Sequence, residues 1–245
     1  MYLSRNDAGR RPACVWAPLY DRVTQPLERA VLAERRARLL NDLSGVIVDV
    51  GAGTGANLAH FRRAERVIAT EPDPRMRRQL AAKLPSAPVP AELLDAPAES
   101  LPHADASVDA VVFTCVLCTV ADVDRALAEA KRVLKPAGQL VVLEHVRGAG
   151  RLARWQDRIT PIWARLMGGC HPNRDIAAAI RNAGFTFEHA EHFDPFPRLV
   201  PVRPMLQATA RPPAATPGAA SAAGQRPRPA RTGSQPAPAR TARRT

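Results

Sequence analysis

The residues best suited to chemistry form a glycine-rich loop at positions 49–55, which reads Asp-Val-Gly-Ala-Gly-Thr-Gly. An apolar run at residues 46–50 leads into the loop and predicts a short buried strand. Glycine allows a positive φ and a close approach between the backbone and a ligand. In an open parallel sheet, ligands bind beyond the carboxyl ends of the strands, so the loop indicates a cofactor site there. A turn whose glycines only pack against a helix is the structural alternative.

Of two acids at predicted strand ends, one favours SAM over a dinucleotide as the cofactor. Read as G-x-G-x-x-A with Ala56 last, the loop resembles a dinucleotide fingerprint. Asp49, however, would place a like charge beside a pyrophosphate, whereas it suits the cationic sulfonium and amino groups of S-adenosyl-L-methionine (SAM), which has no phosphate. Glu71 is predicted to end the next strand, where a carboxylate accepts from ribose hydroxyls in either cofactor. A Walker loop is excluded because no Gly-Lys-Ser/Thr follows the glycines.

Alternating strand and helix patterns supply the frame that must position these residues. We predict an α/β fold, a Rossmann-like doubly wound sheet that is mostly parallel, with an antiparallel pair at its end. The predicted strands are residues 46–50, 66–70, 89–94, 109–114 and 139–144, with a final pair at 185–189 and 201–208. The predicted helices are residues 24–43, 56–63, 74–84, 122–134, 151–167 and 175–183.

The net charge of +12 is unevenly distributed and suggests three segments. We predict a flexible N-terminus at residues 1–15, a catalytic domain at 16–208 and a disordered tail at 209–245. The tail holds seven arginines and no acid, so it predicts at most weak contact with an anionic membrane and no specific nucleic acid. With no signal peptide pattern and too few cysteines for a disulfide framework, we expect a cytoplasmic protein.

Motifs at several strand ends resemble a known family. The runs V-D-V-G-A-G-T-G, T-E-P-D-P-R-M, A-E-S-L-P-H-A-D-A-S-V-D-A-V-V and R-V-L-K-P-A-G are similar to class I SAM-dependent methyltransferases of the methyltransferase-11 or ubiquinone-methyltransferase-like type, over residues 45–144. Downstream, L-C-T-V, L-E-H-V, Trp155-Gln156, Pro161, Trp163 and G-C-H resemble a narrower branch, the methyltransferase-like alkyl thiol methyltransferases.

The resemblance implies a seven-stranded sheet of order 3-2-1-4-5-7-6 with strand 7 antiparallel. It implies SAM as the cofactor and a small, fairly apolar methyl acceptor: a thiol, a quinone or phenol, or a lipid headgroup. One departure is Pro97, which stands where many relatives have an aspartate that accepts from the adenine amino group. The implied contacts are Asp49, Gly51, Gly53 and Gly55 with the methionine moiety, Glu71 with the ribose, Ala98 and Glu99 with the adenine, and Thr114 and Cys115 with the methyl donor.

The acceptor side is predicted from position alone. His145 follows the strand at residues 139–144 at the carboxyl edge of the sheet, and an imidazole titrates near neutrality, so His145 is the candidate general base. A polar residue that merely begins a loop is the alternative. The candidate acceptor-lining residues are Tyr20, Glu144, Trp155, Trp163 and His171, of which the aromatic ones can equally form a core.

The cysteines raise a metal alternative. Cys115 and Cys118 form a C-x-x-C, and Cys170 with His171 completes four potential zinc ligands. We nevertheless expect no metal, because Cys115 ends a predicted buried strand and no second C-x-x-C follows.

Three other functions compete with a small-molecule methyltransferase. A non-catalytic SAM-binding or membrane-tethered adaptor would show no methyl turnover. A nucleic-acid methyltransferase is disfavoured because Thr114-Cys115-Val116-Leu117 replaces the Asn/Asp-Pro-Pro-Tyr/Phe of base-amino enzymes. An NAD-dependent reductase would bind NADH in preference to SAM.

Overall fold

The strands form one mixed sheet in the computed structural model, which describes residues 31–197 and 200–213. Across the sheet their order is β3-β2-β1-β4-β5-β7-β6. The pairs among β1 to β5 are parallel, and β7 is antiparallel to both β5 and β6. The predicted Rossmann-like order is therefore confirmed. The strands are β1 (Ser44–Val50), β2 (Arg63–Thr70), β3 (Ala91–Leu94), β4 (Val108–Thr114), β5 (Leu134–His145), β6 (Thr186–Phe193) and β7 (Met205–Arg211).

Helices connect the parallel strands, and their caps follow from the sequence. Asp73 accepts hydrogen bonds from the amides of Arg75 and Met76 and so caps one helix, which has proline in its first turn. Asp122 caps the next by accepting from the amide of Arg125, and Asp175 does the same for Ala178. The helices are α1 (Ala33–Leu40), α2 (Pro74–Lys83), α3 (Val123–Val133), α4 (Gly150–Leu166) and α5 (Ile176–Asn182), with 3-10 turns at Leu58–His60 and Leu84–Ser86. No helix in this part of the chain is long and apolar enough to cross a membrane.

Some predicted boundaries were wrong. The helix expected at residues 56–63 is only the turn Leu58–His60, because β2 already begins at Arg63. The last strand starts at Met205 rather than residue 201, after two turns that close on the amides of Val200 and Arg203. It then continues to Arg211, three residues into the predicted tail, and Arg211 pairs with Glu188 at 2.8 Å.

Several predictions lie outside the described residues. They are the flexible N-terminus, the first part of the helix at residues 24–43, Tyr20 and the tail beyond residue 213.

The central strands place the site. β1 and β4 pair directly, with Val50 opposite Phe113, and β4 pairs with β5 up to Thr114 opposite Leu143. Apolar side chains bury both faces of these strands, as expected for a parallel sheet covered by helices. The carboxyl ends of β1, β4 and β5 therefore meet at one edge, where the polar residues that follow them converge.

Replacement of Phe113 by alanine should destabilise the domain by about 3–5 kcal/mol, because the ring is fully buried in the largest core cluster and its removal leaves a cavity. Phe187→Ala on the outer strand β6 is the matched control and should cost clearly less, since Phe187 only packs against the edge of that cluster. Urea unfolding measures both free energies. Equal losses at the two positions would contradict the placement of β4 at the centre of the core.

Candidate active site

The glycine loop links β1 to the other strand ends. Gly51 has φ +60°, and a Cβ there would lie 2.8 Å from a side-chain methyl of Val116, which follows β4. Gly53 has φ +58°, yet a Cβ there would meet nothing closer than the Gly51 carbonyl at 4.0 Å. Gly51 thus allows the two loops to pack together, whereas Gly53 leaves open space beside the backbone, as a ligand-binding loop requires.

Glu71 connects this loop to the start of α2. Its Oε2 accepts a hydrogen bond from the amide of Gly53 at 2.9 Å, and its Oε1 accepts from the amide of Asp73 at 2.8 Å. Burial raises the pKa of Glu71, while these two amides act in the opposite direction. A carboxylate oxygen accepts more than one hydrogen bond, so both oxygens retain lone pairs for the ribose hydroxyls that the sequence assigns to Glu71.

Asp49 is the least satisfied group of the site. Its side chain is fully buried, and its Oδ1 accepts from the Asn57 amide at 2.7 Å. Within residues 31–197 and 200–213, its Oδ2 has no hydrogen-bond partner. Burial raises the pKa of Asp49 to about 7. Buried polar atoms in proteins are nearly always paired, so an orphaned carboxylate oxygen indicates a missing partner. The cationic amino group of SAM has the charge that this oxygen requires, and the residues therefore fit the predicted cofactor.

Two residues that the sequence did not single out hold Asp49 in place. Arg36 of α1 is buried and donates to Asn57 Oδ1 and, at 2.8 Å, to Thr114 Oγ1. Asn57 also donates to Thr114 Oγ1 at 3.0 Å. The network joins α1, the glycine loop and the end of β4. Arginine is abundant along the chain, so nothing in the sequence distinguishes Arg36 from a solvated residue.

Thr114 and Cys115 end β4 beside the network, where the sequence places the methyl donor. Cys115 has φ +58°, an uncommon conformation for a non-glycine residue, and its amide donates to the Leu143 carbonyl at 2.9 Å. This bend turns the chain sharply away from the sheet directly after Thr114.

Glu144 has a different role from the predicted one. It was expected to line the acceptor pocket, but it is fully buried and accepts from the amides of Val116 at 2.6 Å, Leu117 at 2.8 Å and Cys118 at 3.3 Å. Burial raises the pKa of Glu144, and the amides oppose that shift. Because these amides engage both oxygens, Glu144 positions the loop after β4.

The predicted adenine contacts are only partly explained by side chains. Ala98 is buried in the main core cluster. The Glu99 carboxylate accepts from the amides of Ala121 and Asp122 at 2.8 and 3.1 Å, so it supports the segment before α3. Asp95, near the position of the absent aspartate, pairs with Arg77 at 2.9 Å.

His145 lies between two cysteines. Its Nδ1 is 3.6 Å from Cys118 Sγ and 3.8 Å from Cys170 Sγ. The pKa of the Cys170 thiol is lowered by a hydrogen bond with Cys118 and by the neighbouring His145. The pKa of the Cys118 thiol is raised by the same hydrogen bond and by burial. Trp163 packs against the two cysteines, together with Val202 and other apolar residues.

The side chains of the remaining candidates have other surroundings. His171 Nδ1 is bonded to the Gly169 carbonyl at 2.7 Å. Trp155 is half-buried on α4. Among the described residues, the group of ligand atoms within 4.8 Å of one another holds Cys118, His145 and Cys170, and Cys115 is outside it.

Known proteins resemble this chain in sequence and in fold. Residues 48–142 match the model of a methyltransferase domain family. The thiol S-methyltransferase TMT1B of Rattus norvegicus is 32% identical over 188 residues, covering 70% of this chain and 74% of the relative. The demethylmenaquinone methyltransferase of Thermobifida fusca is 38% identical over 124 residues, or 48% of this chain and 52% of that protein.

A solved complex between the Haloferax volcanii Trm112 methyltransferase activator and a methyltransferase shows the same fold. Its matching chain has a TM-score of 0.62 and 19% identity, with coverage of 81% of this chain and 96% of the other.

Asp49→Asn should weaken SAM binding by roughly 10- to 100-fold, because a charge-assisted hydrogen bond is worth about 1.5–3 kcal/mol. The same change should stabilise the ligand-free protein near neutral pH. Between pH 3.8 and about 7 the folded state keeps a proton that the unfolded state has lost, so wild-type stability falls as pH rises through this window. Asparagine removes that dependence.

Calorimetric SAM titrations and melting temperatures from pH 4 to pH 8 measure both effects. Asp124→Asn, on the exposed first turn of α3, is the control and should change neither quantity. Unchanged SAM affinity in Asp49→Asn would remove Asp49 from the cofactor site.

Proposed function

The chain belongs to the class I SAM-dependent methyltransferases, and from this premise we propose that it methylates the sulfur atom of a small alkyl thiol. Class I enzymes of this kind act on small acceptors, and this chain has the fold and the cofactor residues that such activity needs. The thiol S-methyltransferase relatives support sulfur as the accepting atom. The observation that carries the proposal is the half-buried imidazole of His145 in an apolar setting beside the end of β4.

We assign the cofactor to residues at the carboxyl ends of the first two strands, β1 and β2. Asp49 offers an unpaired buried oxygen to a cation, Glu71 offers lone pairs to the ribose, and Gly53 leaves space beside the loop. When bound, SAM supplies an electrophilic methyl group on a sulfonium. Since the methyl group is already activated, the protein contributes mainly by holding donor and acceptor in line.

The acceptor side favours a neutral, apolar compound. Around Cys118 and Cys170 the packing residues are Val202, Phe196, Val200 and Trp163, whose side chains suit an alkyl group better than a charged headgroup. A thiol reacts as its thiolate, and a free thiol has a pKa of about 8.5, so the site must favour loss of the proton near neutrality. His145 is the residue that we propose promotes this loss. A cytoplasmic location and weak contact of the basic tail with anionic membranes remain predictions.

The test of the proposed function is mass-spectrometric detection of S-adenosylhomocysteine and the methylated product. Purified protein is incubated with SAM and, separately, alkyl thiols, a hydroquinone and phosphatidylethanolamine. We expect turnover confined to the thiols. Turnover only with the quinol or the lipid would overturn the thiol assignment and leave the enzyme class intact. Tight SAM binding without turnover on any acceptor would favour the adaptor function.

His145→Gln should lower kcat/KM for the thiol about 100-fold near pH 7 if the residue assists proton loss. The deficit should shrink at about pH 9.5, where most of a free thiol with a pKa of about 8.5 is already ionised. His189→Gln, on the exposed part of β6, is the control and should match the wild type. A deficit of the same size at both pH values would contradict the role in proton loss.

A further inference from the structure

Three metal-binding atoms converge at the end of the sheet. Within residues 31–197 and 200–213, Cys118 Sγ, His145 Nδ1 and Cys170 Sγ lie within 4.8 Å of one another. They come from three separate segments: the loop after β4, the end of β5 and the loop between α4 and α5. Hydrogen bonds of thiols are weak, so they give little reason for three such groups to meet.

We propose that Cys118, His145 and Cys170 form a Zn²⁺ site whose fourth position accepts the sulfur of the thiol substrate. This inference rests on the proposed function for its substrate, whereas the metal site itself rests on the geometry of the three side chains.

The distances match tetrahedral zinc. With zinc–sulfur and zinc–nitrogen bonds of about 2.3 and 2.0–2.1 Å, a sulfur and a nitrogen ligand lie about 3.6 Å apart. The two observed sulfur–nitrogen separations are 3.6 and 3.8 Å. A site with three protein ligands, two cysteines and one histidine, is an arrangement in which zinc keeps an open position for water or substrate.

The ligands are held in place by bonds that do not involve the metal. Glu144 accepts from the amides of the loop that carries Cys118. The amide of His171 donates to the Cys118 carbonyl at 2.7 Å, and Arg174 donates to the Leu117 carbonyl at 2.6 Å. These two bonds join the segment that follows Cys170 to the loop that carries Cys118. The three ligands are therefore held together without a metal.

Charge and access also suit the proposal. Two thiolates neutralise a divalent cation, which permits its burial among apolar residues. In the part of the chain that the structure describes, no fourth cysteine, histidine or acid joins the group. The cysteines are buried, but His145 is half-exposed, so a small thiol approaches from the histidine side.

The thiol acceptor then loses its proton as its sulfur binds the metal. The thiol sulfur forms a bond to Zn²⁺, its S–H bond breaks, and the proton leaves to solvent. The sulfur stays a nucleophile while its charge is held by the metal, as with zinc-bound hydroxide. His145 thus promotes proton loss as a metal ligand, and the imidazole itself does not take up the proton.

The test uses Co²⁺ as a spectroscopic probe in place of zinc. Full-length protein, reduced with a phosphine and freed of metal, is titrated with Co²⁺ and then with an alkyl thiol. We expect one equivalent of Co²⁺ to give sulfur-to-cobalt charge-transfer absorption and strong visible bands of four-coordinate cobalt. Addition of the thiol should increase the charge-transfer absorption by roughly half, because a third sulfur joins two. Absence of the bands in the wild type overturns the metal site.

Variants locate the site. Cys170→Ser and His145→Gln should each weaken Co²⁺ binding by at least about ten-fold, since one of three protein ligands is lost. Cys115→Ser is the matched control and should keep the cobalt spectrum, because its thiol is outside the group. Unchanged binding in Cys170→Ser would also overturn the site.

Two outcomes separate this inference from the proposed function. Thiol turnover by a protein that shows no cobalt bands would refute the metal site and leave thiol methylation standing. Cobalt bands that do not respond to thiols, in a protein that methylates only other acceptors, would refute the thiol acceptor and the open position for it. Metal-free wild type should lose at least about ten-fold in thiol turnover and regain it with one equivalent of Zn²⁺.

Discussion

The arrangement of the site depends on Asp49, a buried carboxylate with one oxygen that lacks a hydrogen-bond partner among the described residues. Burial of an ionised carboxylate is costly, and among the residues that the structure describes only Asn57 donates a hydrogen bond to the Asp49 side chain. The chain tolerates this because Arg36 and Thr114 hold Asn57 in position and because the pKa of Asp49 is raised to about 7, so the group remains partly neutral. We propose that a cation bound beside Asp49 offsets the desolvation of its carboxylate. The desolvation of Asp49 thus supports its proposed role in binding the cation of the cofactor.

A second buried acid organises the acceptor side. Glu144 fixes the loop after β4 through three amides, and Val116 of that loop packs against Gly51 of the cofactor loop. Cys118 lies on the same loop, beside His145 and Cys170. The cofactor and acceptor sides thus share one short segment of backbone. A change in Glu144 is expected to affect both sides, since the loop that it fixes also packs against Gly51.

Much of the fold was predictable because it depends on local patterns. Apolar runs, glycines and helix caps give the strands and helices, and Asp49 and Glu71 stand where such a sheet binds its cofactor. The failures involve partners distant in sequence. Nothing in the local sequence indicates that Arg36 is buried. An acid that follows an apolar strand has the same local sequence whether its side chain faces a ligand, as predicted for Glu144, or accepts from three amides. The C-x-x-C spacing does not reveal the observed cluster, because β5 and a distant loop supply the neighbours of Cys118.

We expect Asp49 to lose a proton when the cation of the cofactor binds beside it. The direct measurement is calorimetric titration of SAM into the protein at pH 6 in buffers of different ionisation enthalpy, which gives the number of protons exchanged. With a pKa of about 7 in the free protein, Asp49 is mostly protonated at that pH, so binding should release about one proton to the buffer. Binding with no proton release would mean that Asp49 is already ionised or does not contact the cation. Either result would contradict the proposed role of Asp49 in cofactor binding.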